Sequence, residues 1–503
     1  MKNGYNKFST RLHPFRYSTF IPIAIGILYS MFLSFSLPAQ QWTEPLNITN
    51  LGGYSMDPDM VIDHNNVIHV VWSYEIDYWH RKIMYIYSED DGEIWSEPLD
   101  LTQNTELWMS KPHIACDSKN NLFVTYDYAT GTSDKMIYLM VYKDHLWGEP
   151  IIISEGMPGS HYNYVIIDHN DRMYVFWDYS PTGDNYYRYL ENNIWSDPYC
   201  PYPGNDEIYA LVEAEISTNN SIHWMGASAG TTYYGERLQY FYYDYSFNIW
   251  YPPQKPVNDT IQVGLDITLN NNEIPESTYR KRSTISMGVN SDSTMYIKKE
   301  ENSWGSPDMV AGKEKHHEYQ QIAIDQNSDV HILDIQMPNE GLKLSHYQKK
   351  EKEWIEQIID TCYIILFTDL EFNNNKLYVV YNKTWPVAPQ VFESDLYYCK
   401  YDIVINIKEA TNLSTELIIY PNPGRDRIYI EFENNKQQHI DLSIFDMTGK
   451  HIITIISETK PPGKYRQLWK VTDKNRKENA PSLYLVRLQS GRKTVTKTVE
   501  VLK

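Results

Sequence analysis

Trp95-Ser96-Glu97-Pro98 is one copy of a unit that recurs as Trp42-Thr43-Glu44-Pro45, Trp147-Gly148-Glu149-Pro150, Trp195-Ser196-Asp197-Pro198 and Trp304-Gly305-Ser306-Pro307, with weaker copies at Trp250 and Trp354. Successive tryptophans are 53, 52, 48, 55, 54 and 50 residues apart. A period near fifty with several short strands in each unit marks a propeller rather than a solenoid. Each unit opens on an inner strand: Asp57 to Asp63, Lys111 to Asp117, Tyr162 to Asp168, Leu211 to Ser217, Gly264 to Asn270, Tyr319 to Asp325 and Phe367 to Asn373. Turns such as Asn65-Asn66, Asn120-Asn121, Asn219-Asn220 and Asn374-Asn375 follow, and these residues tolerate the positive φ of tight hairpins.

Six units end in a tryptophan, while the seventh, residues 365–402, has three strands and none. The orphan stretch from Trp42 to Thr49 supplies the missing strand and covers an edge that would otherwise invite aggregation. The expectation is an all-β protein: a seven-bladed β-propeller closed by an N-terminal strand over 40–410, followed by a small C-terminal β-sandwich over 411–503. Composition agrees, since 43 tyrosines and 14 tryptophans among 503 residues suit half-buried pleated surfaces.

Charge divides the chain in the same way. The whole carries 45 basic and 65 acidic side chains, and residues 411–503 hold 16 basic against 10 acidic. Setting these aside, with the four cations of residues 1–40, leaves 25 basic and 55 acidic side chains in the body, a net of −30. Phosphate recognition needs a basic footprint, so nucleic acid is excluded as a partner. Lys2, Lys7, Arg11 and Arg16 precede an apolar run from Phe20 to Leu37 that exits at Pro38-Ala39-Gln40, the pattern of a secretory signal peptide over 1–39. After its cleavage no segment is long and apolar enough to span a bilayer.

Ser88-Glu89-Asp90-Asp91-Gly92-Glu93-Ile94-Trp95 matches the S-x-D-x-G-x-x-W Asp-box, and the body from about 41 to 404 resembles the sialidase-like (Asp-box, or BNR repeat) propellers. In that device the aspartate accepts turn amides, the glycine supplies a special backbone shape and the tryptophan wedges against a sheet. The resemblance implies fold and not activity. It also weighs against sialidase chemistry: that family carries an arginine triad beginning at an F/Y-R-I-P motif, which the body lacks. Only Arg81, Arg172, Arg188, Arg237, Arg280 and Arg282 occur in 41–410.

Beyond Thr411 a different order appears: Tyr420-Pro421-Asn422-Pro423, then Asp446-Met447-Thr448-Gly449-Lys450, then a last strand through Lys497 to Val501. This is similar to the C-terminal sorting domain of type IX secretion substrates in Bacteroidetes. One departure is Pro481-Ser482 before Leu483-Tyr484, where the family more often has glycine. The resemblance implies contact with the type IX machinery through 411–503, export through Sec and then type IX, and a secreted or outer-membrane surface location.

Propeller ligands sit at one mouth of the central channel. The loops expected there are rich in aromatics: Tyr78, Trp79, Trp108, Tyr233 and Tyr234 could stack on sugar rings, and His80, Arg81, His161, Tyr162 and Arg237 could act as base, acid and carboxylate neutraliser. Aligning the inner strands places Asp59, His113, Tyr164, Glu213, Asp266, Gln321 and Asp369 at one height. The carboxylates Asp59, Glu213, Asp266 and Asp369 facing one another would repel unless protonated, hydrated or bridged by a structural cation; hydrogen bonds between blades are the alternative. His69, His223 and His331 recur at one packing position and read as structural. Cys362 and Cys399 fall in one blade and could pair, and nothing in cysteine or histidine spacing indicates zinc or another cofactor. The expected function is a glycan- or protein-binding propeller without sialidase chemistry. A polysaccharide lyase or glycoside hydrolase with a His/Tyr/Arg site at the mouth is the alternative, although a body of net −30 would repel a long polyanion.

Overall fold

The computed structural model of the protein describes residues 41–77, 80–103, 108–129, 134–203, 210–228, 237–258, 261–283, 291–301, 303–312, 317–337, 341–388, 391–403, 417–425, 427–434, 437–446, 450–471, 482–490 and 493–502. They fall into two compact units divided between Val404 and Ile405. The proposed signal peptide lies outside the described residues.

In the first unit the described strands group into seven antiparallel meanders. Their inner strands are Tyr54–Ile62, Trp108–Cys116, Ser160–Ile167, Ala210–Ile216, Ile261–Leu269, His317–Ile324 and Thr368–Asn373; the blades are numbered one to seven in that order. The last blade takes its fourth strand from Leu46–Asn47, which pairs with Val391–Asp402 at Leu46 against Tyr398 and Asn47 against Tyr397. Asp395 clasps this strand: its carboxylate accepts Asn47 Nδ2 and Thr49 Oγ1, each at 2.9 Å, and the Leu51 amide at 3.1 Å.

The tryptophan repeat proves to be a junction device. The ring ending one blade lies against an aromatic ring on the third strand of the preceding blade: Trp95 on Tyr398, Trp147 on Tyr85, Trp250 on Tyr187, Trp304 on Tyr240 and Trp354 on Tyr296, with centroids 5.1–5.7 Å apart. Trp42 fills the same role against His346 at 5.3 Å. Edge and tilted contacts of this kind suit the ring quadrupole and bury large apolar area between sheets that share few backbone bonds.

The Asp-box has its expected geometry. Asp90 accepts the Ile94 amide at 2.8 Å and the Ser88 hydroxyl at 2.9 Å, and Trp95 Nε1 donates to the Gly92 carbonyl at 3.1 Å. Gly92 sits at φ +82°, and a Cβ there would meet Tyr398 at 2.2 Å. The box also reaches the last blade through Asp91, which takes Lys376, Lys400 and the Tyr378 hydroxyl.

The hairpins after the inner strands of blades one, two, three and six follow one recipe. Asp63, Asp117, Asp168 and Asp325 each accept the amides two and four residues on, at 2.8–2.9 Å. Asn66, Asn120, Asp171 and Ser328 take positive φ in these turns, as Asn220 does in that of blade four. Side chains then link turn to turn around the ring: His64 N to Asn120, Ser118 N to Asp171, His169 N to Asn220, Thr218 N to Glu273, Asn271 to Ser328, and Asn374 to Asn66.

The recurrent histidines are structural. His69 and His223 hold tyrosine hydroxyls at 2.8 and 2.7 Å, and His331 bonds His346 at 2.9 Å. The sequence left a Cys362–Cys399 pair open beside the commoner reading of scattered buried thiols; both are free thiols, and they lie in different blades, the sixth and the seventh. Cys362 donates to the Ile364 carbonyl at 3.0 Å and Cys399 is enclosed in the apolar core.

The second unit packs the sheet Ile418–Tyr420, Arg427–Asn434, Gly463–Lys470 with a second of order His451–Lys460, Gln438–Asp446, Ser482–Ser490, Lys493–Val501. Its core holds Ile428, Ile430, Phe432, Ile440, Leu442, Ile444, Trp469, Val486 and Leu488. The Tyr-Pro-Asn-Pro motif is stapled to the last strand: Asn422 donates to the Thr498 carbonyl at 3.0 Å and accepts the Glu500 amide at 2.9 Å. Among the described residues of the chain no helix is long and apolar enough to cross a membrane.

Candidate functional site

The inner strands enclose a channel of about 840 Å³ lined by residues of all seven blades, including Asp59, His113, Tyr164, Glu213, Asp266, Gln321 and Asp369. The alignment that placed one polar side chain per blade at one height therefore describes a real ring. Its carboxylates reach across to the next blade: Asp59 accepts the Ile114 amide at 2.6 Å, Asp266 the Ile322 amide at 2.8 Å, and Asp369 the Met60 amide at 2.6 Å and Gln321 Nε2 at 3.1 Å. Satisfaction between blades is thus the means by which these acids are held. Among the described residues no group of three His, Cys, Asp or Glu side chains is placed to hold a metal ion.

Burial dominates the electrostatics of this throat. It pushes Asp369 up to about 7, with Asp59 adding to the shift, and pushes Glu215, one turn of the pleat deeper, to about 7. Glu213, Asp266 and Glu371 are carried well above the ordinary carboxylate range by burial first and then by the charge of neighbouring acids, Asp369 acting on all three. Burial opposes a proton on His113, yet Asp59 at 3.4 Å, backed by Asp369 and Asp127, raises its pKa. The side chains of Asp59 and His113 keep 21% and 24% of their surface open to solvent.

A second tier lies two residues upstream of the ring. There Asp57, Lys111, Tyr162 and Tyr319 hold φ of +50°, +53°, +53° and +48°, at bulges where the inner strand gains a residue over its neighbour. Left-handed backbone is uncommon for aspartate and rarer for lysine or tyrosine, and it persists only where the surroundings hold it. The hold is visible at Lys111: its amide donates to Ser73 Oγ at 3.1 Å, and its carbonyl accepts Asn163 Nδ2 at 2.9 Å. The Tyr162 amide donates to Asp127 at 3.3 Å, and Asn163 Nδ2 also reaches Asp127 at 2.8 Å. The Lys111 ammonium stands 3.3 Å over the Tyr162 ring, and Tyr319 packs on Phe367 at 4.9 Å. Tyr162 and Tyr319 are 37% and 38% exposed, the open ring surfaces of the mouth.

Of the five reactive candidates, Arg81 and Tyr162 line the channel. Arg81 is paired with Glu75 through Nε and a terminal nitrogen, both at 2.7 Å, and its guanidinium lies 3.7 Å over the Trp108 ring. His161 adjoins Tyr162 with centroids 4.6 Å apart and meets the Ser180 hydroxyl at 3.3 Å; burial lowers its pKa, with Asp127 opposing. His80 and Arg237 are not brought to the cavity. His80 alternates with Arg81 along a strand and so faces away from it, and Arg237 is exposed at the head of Arg237–Asp244. Tyr78, Trp79, Tyr233 and Tyr234 lie outside the described residues. Asp57, Lys111 and Tyr319 escaped the sequence reading, although the alignment that exposed the ring shows them two places earlier.

Residues 418–501 match the secretion system C-terminal sorting domain. With the Asp-box hairpin and the ring of meanders, this defines the class: a propeller of sialidase-like build carrying a type IX sorting tail, which directs export to the cell surface or beyond it. No curated protein matches the sequence. Similar solved folds include a Dyadobacter fermentans protein of unknown function (10% identity, 73% of this chain, 100% of that one, TM-score 0.46). Another is an ulvan lyase of polysaccharide lyase family PL25 (11%, 70% and 95%, 0.46). A third is the GH93 alpha-L-arabinofuranosidase of Fusarium graminearum (9%, 71% and 97%, 0.42). These are likenesses of fold.

Proposed function

We propose that the exported protein is a binding propeller whose channel mouth takes the end of a neutral sugar chain. The observation that carries this reading is the exposure of Tyr162 and Tyr319 on left-handed backbones at one height of the channel, with Phe367 beside one ring and Lys111 over the other. Rigid aromatic faces stack on pyranose rings at small entropic cost. The acids below are engaged with backbone amides, and Arg81 is engaged by Glu75, so the charged groups favour holding a ligand over attacking it.

A second reading, a glycan-cleaving enzyme, draws on Arg81 and Tyr162 sharing one cavity with His161 at its edge. Burial raises the Tyr162 phenol, which keeps it protonated at neutral pH and leaves little phenolate to act as a base. One experiment separates the two: the mature chain is applied to a glycan array and, in parallel, incubated with neutral and acidic glycans while unsaturated products and reducing ends are followed. Retention without turnover, lost in Tyr162→Ala and Tyr319→Ala, is expected. Turnover that disappears in Tyr162→Phe establishes the enzyme instead.

A further inference from the structure

We propose that Lys111 is a reactive amine that condenses with an aldehyde or ketone carbonyl entering the channel mouth. This goes beyond ligand binding and needs only that the mouth admit a small carbonyl compound.

The geometry is that of a positioned nucleophile. Lys111 lines the channel, and its backbone is clamped at both ends in a left-handed conformation by Ser73 and Asn163. Strain sustained by specific partners in this way recurs at functional positions. The side chain rests on the Tyr162 ring. Burial lowers the pKa of the ammonium, and only the charges of Asp127, Asp57 and Asp178 oppose that shift. A desolvated lysine is the usual form of a carbonyl-capturing amine. Asp57, in the same tier, has its carboxyl pKa raised by burial, against the pull of Lys111, Arg81 and His113, so it can hand a proton to a developing alkoxide.

The step balances. The free amine adds to the carbonyl carbon, the oxygen takes up a proton through Asp57, and water leaves from the carbinolamine. Lysine ammonium plus aldehyde gives a protonated imine plus water, with one positive charge on each side and no change of oxidation state. The charge retained on nitrogen is favoured by Asp127 and Asp178, and by Asp57 once it has given up its proton.

The test uses the mature full-length chain with glycolaldehyde and cyanoborohydride at neutral pH, followed by peptide mass mapping. Lys119 and Lys464, whose side chains are 71% and 83% exposed, serve as internal references. Lys111 is expected to be labelled faster than either, because its lowered pKa leaves a larger fraction of free amine. Lys111→Arg should remove that label and leave the references unchanged, and Asp57→Asn should slow it with the near-ultraviolet dichroism intact. Labelling of Lys111 no faster than Lys119 and Lys464 overturns the proposal, and an unchanged rate in Asp57→Asn overturns the proton transfer. Because glycolaldehyde is not a glycan, failure of the array experiment does not affect this outcome.

Discussion

Replacing Glu215 by glutamine tests the throat directly. Burial brings this carboxyl to about 7 from an ordinary 4.5, and the hydrogen bond that resists the rise comes from the adjacent Ile216 amide. In the unfolded chain the group ionises near its ordinary value. Below that value it is neutral in both states and costs nothing. As pH rises from about 4.5 to about 7 the unfolded chain releases its proton first, and folding stability falls. The full difference corresponds to ~3 kcal/mol, and channel solvent reduces it to about 2 kcal/mol. Glutamine keeps the shape and removes the charge. Glu215→Gln should therefore match the parent protein near pH 4.5 and exceed it by about 2 kcal/mol at pH 8, or ~2–4 °C in the melting temperature of a unit this large. Thermal melts of both proteins at pH 4.5, 6 and 8 provide the comparison. A stability difference that stays constant with pH, or a variant less stable at pH 8, would refute the assignment of a buried, proton-retaining acid.

Three other outcomes follow from specific contacts. Gly92→Ala puts a methyl 2.2 Å from Tyr398 on a backbone at φ +82° and should cost at least ~2 kcal/mol, measured by urea denaturation of the propeller transition. Asp395→Ala removes the acceptor of Asn47, Thr49 and the Leu51 amide; the closing strand should gain amide exchange and protease sensitivity, with a loss of about 2–4 kcal/mol. Asn422→Ala breaks both bonds between the Tyr-Pro-Asn-Pro motif and the last strand. It should destabilise the tail by ~1–3 kcal/mol and lower the fraction of protein reaching the medium or cell surface, read by fractionation and immunoblot.

How much of this was legible depended on whether a contact left a periodic trace. The tryptophans did, because each junction between blades needs the same large ring, and the spacing from Trp42 to Trp354 records the blades one by one. The channel ring did as well: polar residues such as Asp59 and Asp369 between apolar neighbours can only face the axis of a closed sheet assembly. The strained tier left a weaker trace. Left-handed backbone is ordinarily announced by glycine or asparagine, and here it is occupied by aspartate, lysine and tyrosine held by partners some forty to fifty residues away. His80 and Arg81 are neighbours in sequence, yet strand alternation turns their side chains to opposite faces, so adjacency along the chain does not imply a shared cavity. A pairing of Cys362 with Cys399 rested on membership of one blade, but Cys362 ends the outer strand of the sixth blade and Cys399 lies in the seventh, a division the missing proline after Trp354 left unmarked.

The clasp on Asp395 joins positions 346 residues apart. Such a contact cannot form until almost the whole propeller has left the ribosome, and its long loop must be closed against chain entropy. Earlier in synthesis the first segment has no sheet to join, and the last blade, once made, exposes an unpaired edge until that segment returns. Closure of the ring therefore depends on both ends of the body at once: loss of either leaves a strand edge unpaired and open to association.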